Sequence, residues 1–158
     1  MTAPCWLAGA LLAAVLLAGC SGPPTVGAPM TLANVCERAN DGKRVALEGY
    51  LSLPNSFTES SGSLSAPVVI RGDLPLAGDV TFVWVAYGSV PNSMQKVGTK
   101  YGQEDLRVLA MDGGVVGYKD RVRVSGQVGF PSRRPYEVNS PGGRLLDCGL
   151  NNPLIERL

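Results

Sequence analysis

Two stretches of the chain alternate apolar and polar residues strictly. From Arg44 to Leu53, the residues Val45, Leu47, Gly49, Leu51 and Leu53 fall on one side, and Arg44, Ala46, Glu48, Tyr50 and Ser52 on the other. From Arg121 to Val128, the residues Val122, Val124, Gly126 and Val128 alternate with Arg121, Arg123, Ser125 and Gln127. A period of two marks a half-buried strand. The stretches superimpose as Arg-Val-x-(Leu/Val)-x-Gly-x-(Leu/Val), with glycine at the same place in each. A glycine weakens a strand unless the chain bends or bulges there. The matched pair therefore predicts two bent strands in a small closed or nearly closed barrel.

Weaker patterns fill the interval. Ala66 to Arg71 reads as a strand. Val80 to Tyr87 is apolar on both faces, which predicts a central strand covered on both sides. Leu106 to Met111 reads as a strand ended by the turn Asp112-Gly113-Gly114. Tyr136 to Asn139 and Arg144 to Asp147 are short β segments around Pro141-Gly142-Gly143. One helix precedes the strands. Thr31 suits an N-cap, Leu32, Val35, Cys36 and Ala39 share a helical face, and Gly42 suits a left-handed stop. The fold class expected is mainly β: a small barrel of five to six strands with one N-terminal α-helix.

The segments Gly42-Lys43-Arg44-Val45-Ala46-Leu47-Glu48-Gly49 and Asp120-Arg121-Val122-Arg123-Val124-Ser125-Gly126 resemble the first and fourth strands of OB-fold domains. The likeness is to the tRNA-anticodon-binding-like type found in bacterial envelope proteins, and it covers most of Lys43 to Asp147. It implies an OB-like β-barrel domain over residues 31–158, binding on one strand face and its flanking loops. It implies no nucleic-acid role, because a fold does not fix a function.

A second resemblance lies at the start. Trp6 to Ala18 is almost wholly apolar and too short to span a bilayer comfortably, which needs ~20 residues. It ends in Leu17-Ala18-Gly19-Cys20, which resembles the lipobox of bacterial lipoproteins, although no Lys or Arg precedes the apolar run. The resemblance implies a signal peptide over residues 1–19 and a diacylglycerol on Cys20, usually with a further acyl chain such as palmitate. Residues 20–30, rich in Gly, Pro and Ser, then read as a flexible or extended tether. Ser21 after the cysteine implies the outer membrane, with the domain facing the periplasm. The partner implied is the lipid bilayer, through acylated Cys20. With Cys5 in the leader and Cys20 acylated, Cys36 and Cys148 remain. In an oxidising compartment they most simply form a disulfide; two unpaired buried thiols are the alternative.

Composition narrows the chemistry. The chain of 158 residues has 14 basic and 13 acidic side chains and a net charge of +1, which gives no electrostatic case for nucleic acid. It has no histidine, so Ser-His-Asp and Cys-His catalysis as normally built are excluded. No phosphate loop and no metal-ligand spacing occur, so neither a cofactor nor a metal is expected. Glu104 and Asp105 are adjacent and would point apart on a strand. Arg71-Gly72-Asp73 reads as a turn rather than an adhesion tripeptide. Trp84 and Tyr87, in an apolar strand, read as core, with stacking on a sugar or base as the sharper alternative.

The candidate ligand-binding residues are Glu48, Tyr50, Arg121 and Arg123 on the outward strand face, with Arg133 and Arg134 in a neighbouring turn. Cross-strand ion pairs are the plain alternative for the first set, and a solvated turn for the second. The functional expectation is a non-catalytic envelope lipoprotein that binds a small ligand or another envelope protein. The rivals are an assembly lipoprotein docking through exposed strand edges and a hydrolase using carboxylates alone.

Overall fold

The computed structural model describes residues 24–55, 64–73, 78–131 and 144–158. Cys20, the Arg133-Arg134 turn and the segment Tyr136 to Asn139 lie outside them. Among the described residues nine strands join one mixed sheet. They are β1 (Ala28–Pro29), β2 (Arg44–Ser52), β3 (Ser65–Arg71), β4 (Val80–Tyr87), β5 (Ser93–Met94), β6 (Val108–Leu109), β7 (Val115–Val116), β8 (Arg121–Gly129) and β9 (Leu145–Arg157). One short helix, α1 (Leu32–Val35), and 3-10 turns at Arg38–Asn40 and Gln103–Asp105 complete the elements. The strand order is β1-β2-β8-β9-β4-β5-β6-β7, and β3 lies off this path, paired with β2 and with β4.

The mainly β class and the single short helix near the N-terminus hold, but the expected five- to six-stranded OB-like barrel is overturned. The sheet has nine strands, four of them two residues long. Strands of two residues carry too little alternation to be read in advance. The inference from the matched glycines fails for a specific reason. β2 and β8 pair antiparallel, as Arg44↔Gln127 through Tyr50↔Arg121. In that register Gly49 faces Val122 and Gly126 faces Val45, so the glycines are not side by side, although the β8–β9 register shifts at Gly126. Each serves its own crossing. A methyl on Gly49 would overlap the Arg71 carbonyl oxygen, and one on Gly126 would lie 2.8 Å from Leu150 Cβ. The OB resemblance is withdrawn with the strand count.

The helix is also shorter than expected. Thr31 takes the extended N-cap conformation without a side-chain cap bond, and its carbonyl accepts from Val35 N at 3.1 Å. Glu37 is already extended (φ −66°, ψ 134°), so Ala39 never joins the helical face and is exposed. What holds this turn is covalent. Cys36 is bonded to Cys148 at the start of β9, with Cα atoms 5.3 Å apart, as the cysteine count predicted. Gly42 has φ 74°, the left-handed turn its position suggested.

The residues 25–30, read as tether, are paired to the domain. β1 runs parallel to β2, with Ala28↔Val45 and Pro29↔Ala46. Gly27 N donates to Ser125 Oγ at 3.0 Å, Met30 N donates to Ala46 O at 2.9 Å, and Arg44 Nε donates to the Thr25 carbonyl.

The main core gathers the inward residues of β2 and β8 with Val68, Ile70, Val83, Val85, Leu150 and Ile155. A smaller cluster of Val69, Val80 and Phe82 lies on the other side of β3 and β4. β4 is therefore covered on both sides only over its first half. Trp84 is half-buried and Ala86 exposed, which corrects the reading of Trp84 as core. Tyr87, by contrast, is half-buried but packs against the main core, beneath Lys96 Nζ at 5.8 Å.

Candidate functional site

Glu48 lies mid-strand on β2, and antiparallel pairing places it opposite Arg123 of β8. Outward residues two apart share a face, so Arg121 arrives beside it. Arg123 Nη2 donates to Glu48 Oε1 at 2.9 Å, and Arg121 Nη2 to Glu48 Oε2 at 3.2 Å. Each guanidinium thus takes one carboxylate oxygen. β9 adds Glu156, opposite Arg123, with Oε2 4.0 Å from Arg123 Nη1. The hydrogen bond that Arg123 donates to Glu48 holds its pKa above the ordinary value; desolvation opposes this, and the charges of Glu48 and Glu156 add to it.

The arginines therefore converge on Glu48 rather than on an open space. Tyr50, opposite Arg121, is half-buried at the end of this row. The cross-strand ion pairs that were the plain alternative account for the geometry of Arg121 and Arg123.

A groove of about 780 Å³ opens beside this row. It is lined by Val26, Pro29, Met30, Leu32 and Ala46, with Glu48, Arg123, Asp73 and Asp79 as its charged residues. Of the predicted site residues it takes in Glu48 and Arg123; Tyr50 and Arg121 are not in its lining. Three carboxylates meet one guanidinium there, and that guanidinium is already engaged by Glu48 and Glu156. Asp79 is partly engaged as well: its Oδ1 accepts from Arg144 N at 3.1 Å and its Oδ2 lies 3.7 Å from Arg144 Nε. Sequence reasoning missed Asp73, Asp79, Met30 and Leu32 because nothing local to them signals a shared wall; only the docking of residues 25–30 onto β2 creates it.

The remaining candidates resolve individually. Arg71 is 2% exposed, at the end of β3, and its Nε donates to Ser52 Oγ at 3.0 Å. Burial lowers its pKa. Arg71-Gly72-Asp73 cannot present its arginine to a receptor, and the adhesion reading is excluded. Glu104 and Asp105 sit in a 3-10 turn rather than a strand, where Asp105 Oδ2 accepts from Gly102 N at 2.8 Å. Asp112 caps its turn, with Oδ1 accepting from Gly114 N at 2.9 Å. Among the described residues no three His, Cys, Asp or Glu side chains gather to hold a metal ion. Cys20, Arg133 and Arg134 lie outside the described residues. Comparison with protein-family models, with curated proteins and with solved structures finds no match for this chain.

Proposed function

We propose that the chain is a membrane-anchored envelope lipoprotein whose β domain is a non-catalytic binding module, with its ligand in the groove beside Glu48. Leu17-Ala18-Gly19-Cys20 supports the anchor. The observation that carries the binding role is the groove itself: about 780 Å³, mostly apolar, with Asp73 in its lining outside the ion pairs described above. Concave apolar sites with a few placed polar groups are the usual form of a small-ligand site. Asp73 beside an apolar wall favours a cationic amphiphile, its chain along Val26, Pro29, Met30 and Leu32 and its cation toward Asp73. Cys20 to Gly27 spans at most ~25 Å, so acylation would hold this groove close to the bilayer surface.

The test has two arms. The full chain should take up a palmitate label and fractionate with membranes, and Cys20→Ser should lose both; a C20S chain that stays acylated and membrane-bound refutes the anchor. Octylamine should raise the thermal midpoint of the full chain and octanoate should not, with Asp73→Asn losing the response. Equal responses to the two refute the groove. The docking alternative has one observation in its favour, the terminal strand β7, with Val115 47% exposed. Two residues are a short edge for strand addition, so the groove reading stands first.

A further inference from the structure

A second cavity, of about 700 Å³, lies beyond the other flank of the segment that carries β1. Pro24 and Thr25 line it, with Arg44, Ser65, Trp84, Asn92 and Asn152. Arg44 is its centre of charge. Its Nε donates to the Thr25 carbonyl, its Nη1 to Asn152 O at 3.0 Å and its Nη2 to Ser125 O at 3.3 Å. All three acceptors are neutral. A guanidinium has five N–H groups, so two remain. None of the ion pairs among the described residues includes Arg44, and no Asp or Glu is among the described lining residues. Among the described residues the cavity therefore holds an oriented positive charge that no carboxylate pairs with.

Two unusual backbone positions frame the same cavity. Asn152 and Asn92 are the non-glycine residues with positive φ among the described residues, at 52° and 62°. Asn152 also precedes Pro153, a position that sterics push toward extended backbone. Its conformation follows from a bulge. Between the pairs Gln127↔Asn151 and Ser125↔Leu154, β9 has one residue more than β8. The bulge brings the Asn152 carbonyl to Arg44. Asn92 Oδ1 accepts from Ile155 N at 2.7 Å, which fixes the amide and leaves its NH₂ as a donor pair.

We infer that this cavity binds a saccharide that carries a carboxylate. A pyranose has an apolar face of C–H groups and a rim of hydroxyls. The half-buried indole of Trp84 offers a flat surface for the first, and the Asn92 and Asn152 amides offer donors and acceptors for the second. The two N–H groups left on Arg44, one on each Nη, are donors for a carboxylate. This site depends neither on Cys20 nor on the Glu48 groove.

The experiment is isothermal titration of the full chain with N-acetylglucosaminyl-N-acetylmuramic acid, against neutral chitobiose and against lactate. The three probes separate the carboxylate from the ring. The acidic disaccharide should bind about tenfold or more tightly than chitobiose, and lactate alone should bind far more weakly. Trp84→Leu and Arg44→Gln should each weaken the acidic disaccharide about tenfold or more. Should R44Q fail to fold, Arg44→Lys keeps the charge, removes the guanidinium and should show the same direction. Equal affinity for the two disaccharides, no saturable binding of either, lactate binding as tightly as the disaccharide, or a W84L chain that binds like the parent would each overturn the proposal.

Discussion

Replacing Cys36 with alanine isolates the contribution of the crosslink. Cys36 is half-exposed whereas Cys148 is 1% exposed, so C36A opens the bridge and removes little packing. The thiol left at Cys148 stays in the core as a small apolar side chain. The bridge closes a loop with a sequence separation of 112. In the chain-entropy model a loop of this length stabilises by ~4.8 kcal/mol at 25 °C through restriction of the unfolded chain. Domains of this size are stable by about 5–15 kcal/mol in total, so the crosslink is a large share of the whole. With a urea slope of about 2 kcal/mol per molar, the midpoint should fall by about 2 M.

The assay is equilibrium urea unfolding of the parent and C36A, each with and without reductant. C36A should be insensitive to reductant, and the reduced parent should converge on it. A C36A midpoint equal to that of the oxidised parent would refute the assignment of this stability to the bridge.

Other outcomes follow from neighbouring contacts. Gly49→Ala and Gly126→Ala should both destabilise, the first more: its methyl overlaps the Arg71 carbonyl, whereas the second lies 2.8 Å from Leu150 Cβ and 3.1 Å from the Asn151 carbonyl oxygen. G49A should cost about 3 kcal/mol or more and G126A about 2 kcal/mol by urea unfolding; the reverse order would contradict the packing. Glu48→Gln should cost less than about 1 kcal/mol, because its pairs with Arg121 and Arg123 are solvent-exposed. The E48Q deficit should shrink in 1 M salt, and one that persists at high salt would mean Glu48 acts through packing.

The outward row was legible because each of its strands is long enough to show a period of two. Arg44–Ser52 and Arg121–Gly129 have nine residues each, and their alternation alone places Glu48 near Arg121 and Arg123. The bridge was legible because the cysteines could be sorted by compartment. The strand β9 was not legible beyond Asp147. Its Asn151-Asn152-Pro153 run reads as a turn, and only the bulge lets a strand continue through it. Trp84 was misread because an apolar strand normally has two covered faces, whereas the second cluster here ends at Phe82. The glycine match was real but misinterpreted: identical spacing in two strands says nothing about register, and antiparallel pairing sets the two positions apart. Both cavities escaped the sequence because each is assembled from residues distant in the chain and walled by a segment with no periodicity.

The segment on which β1 lies forms part of two walls at once: Pro24 and Thr25 border the Trp84 cavity, and Val26, Gly27, Pro29 and Met30 border the groove. A shared partition makes the two spaces geometrically dependent, because sliding it to enlarge one redraws the other. Whatever fills either space acts on the same few hydrogen bonds, and linkage makes any such influence mutual. Residues 24–30 are thus a common lever between the groove and the Trp84 cavity.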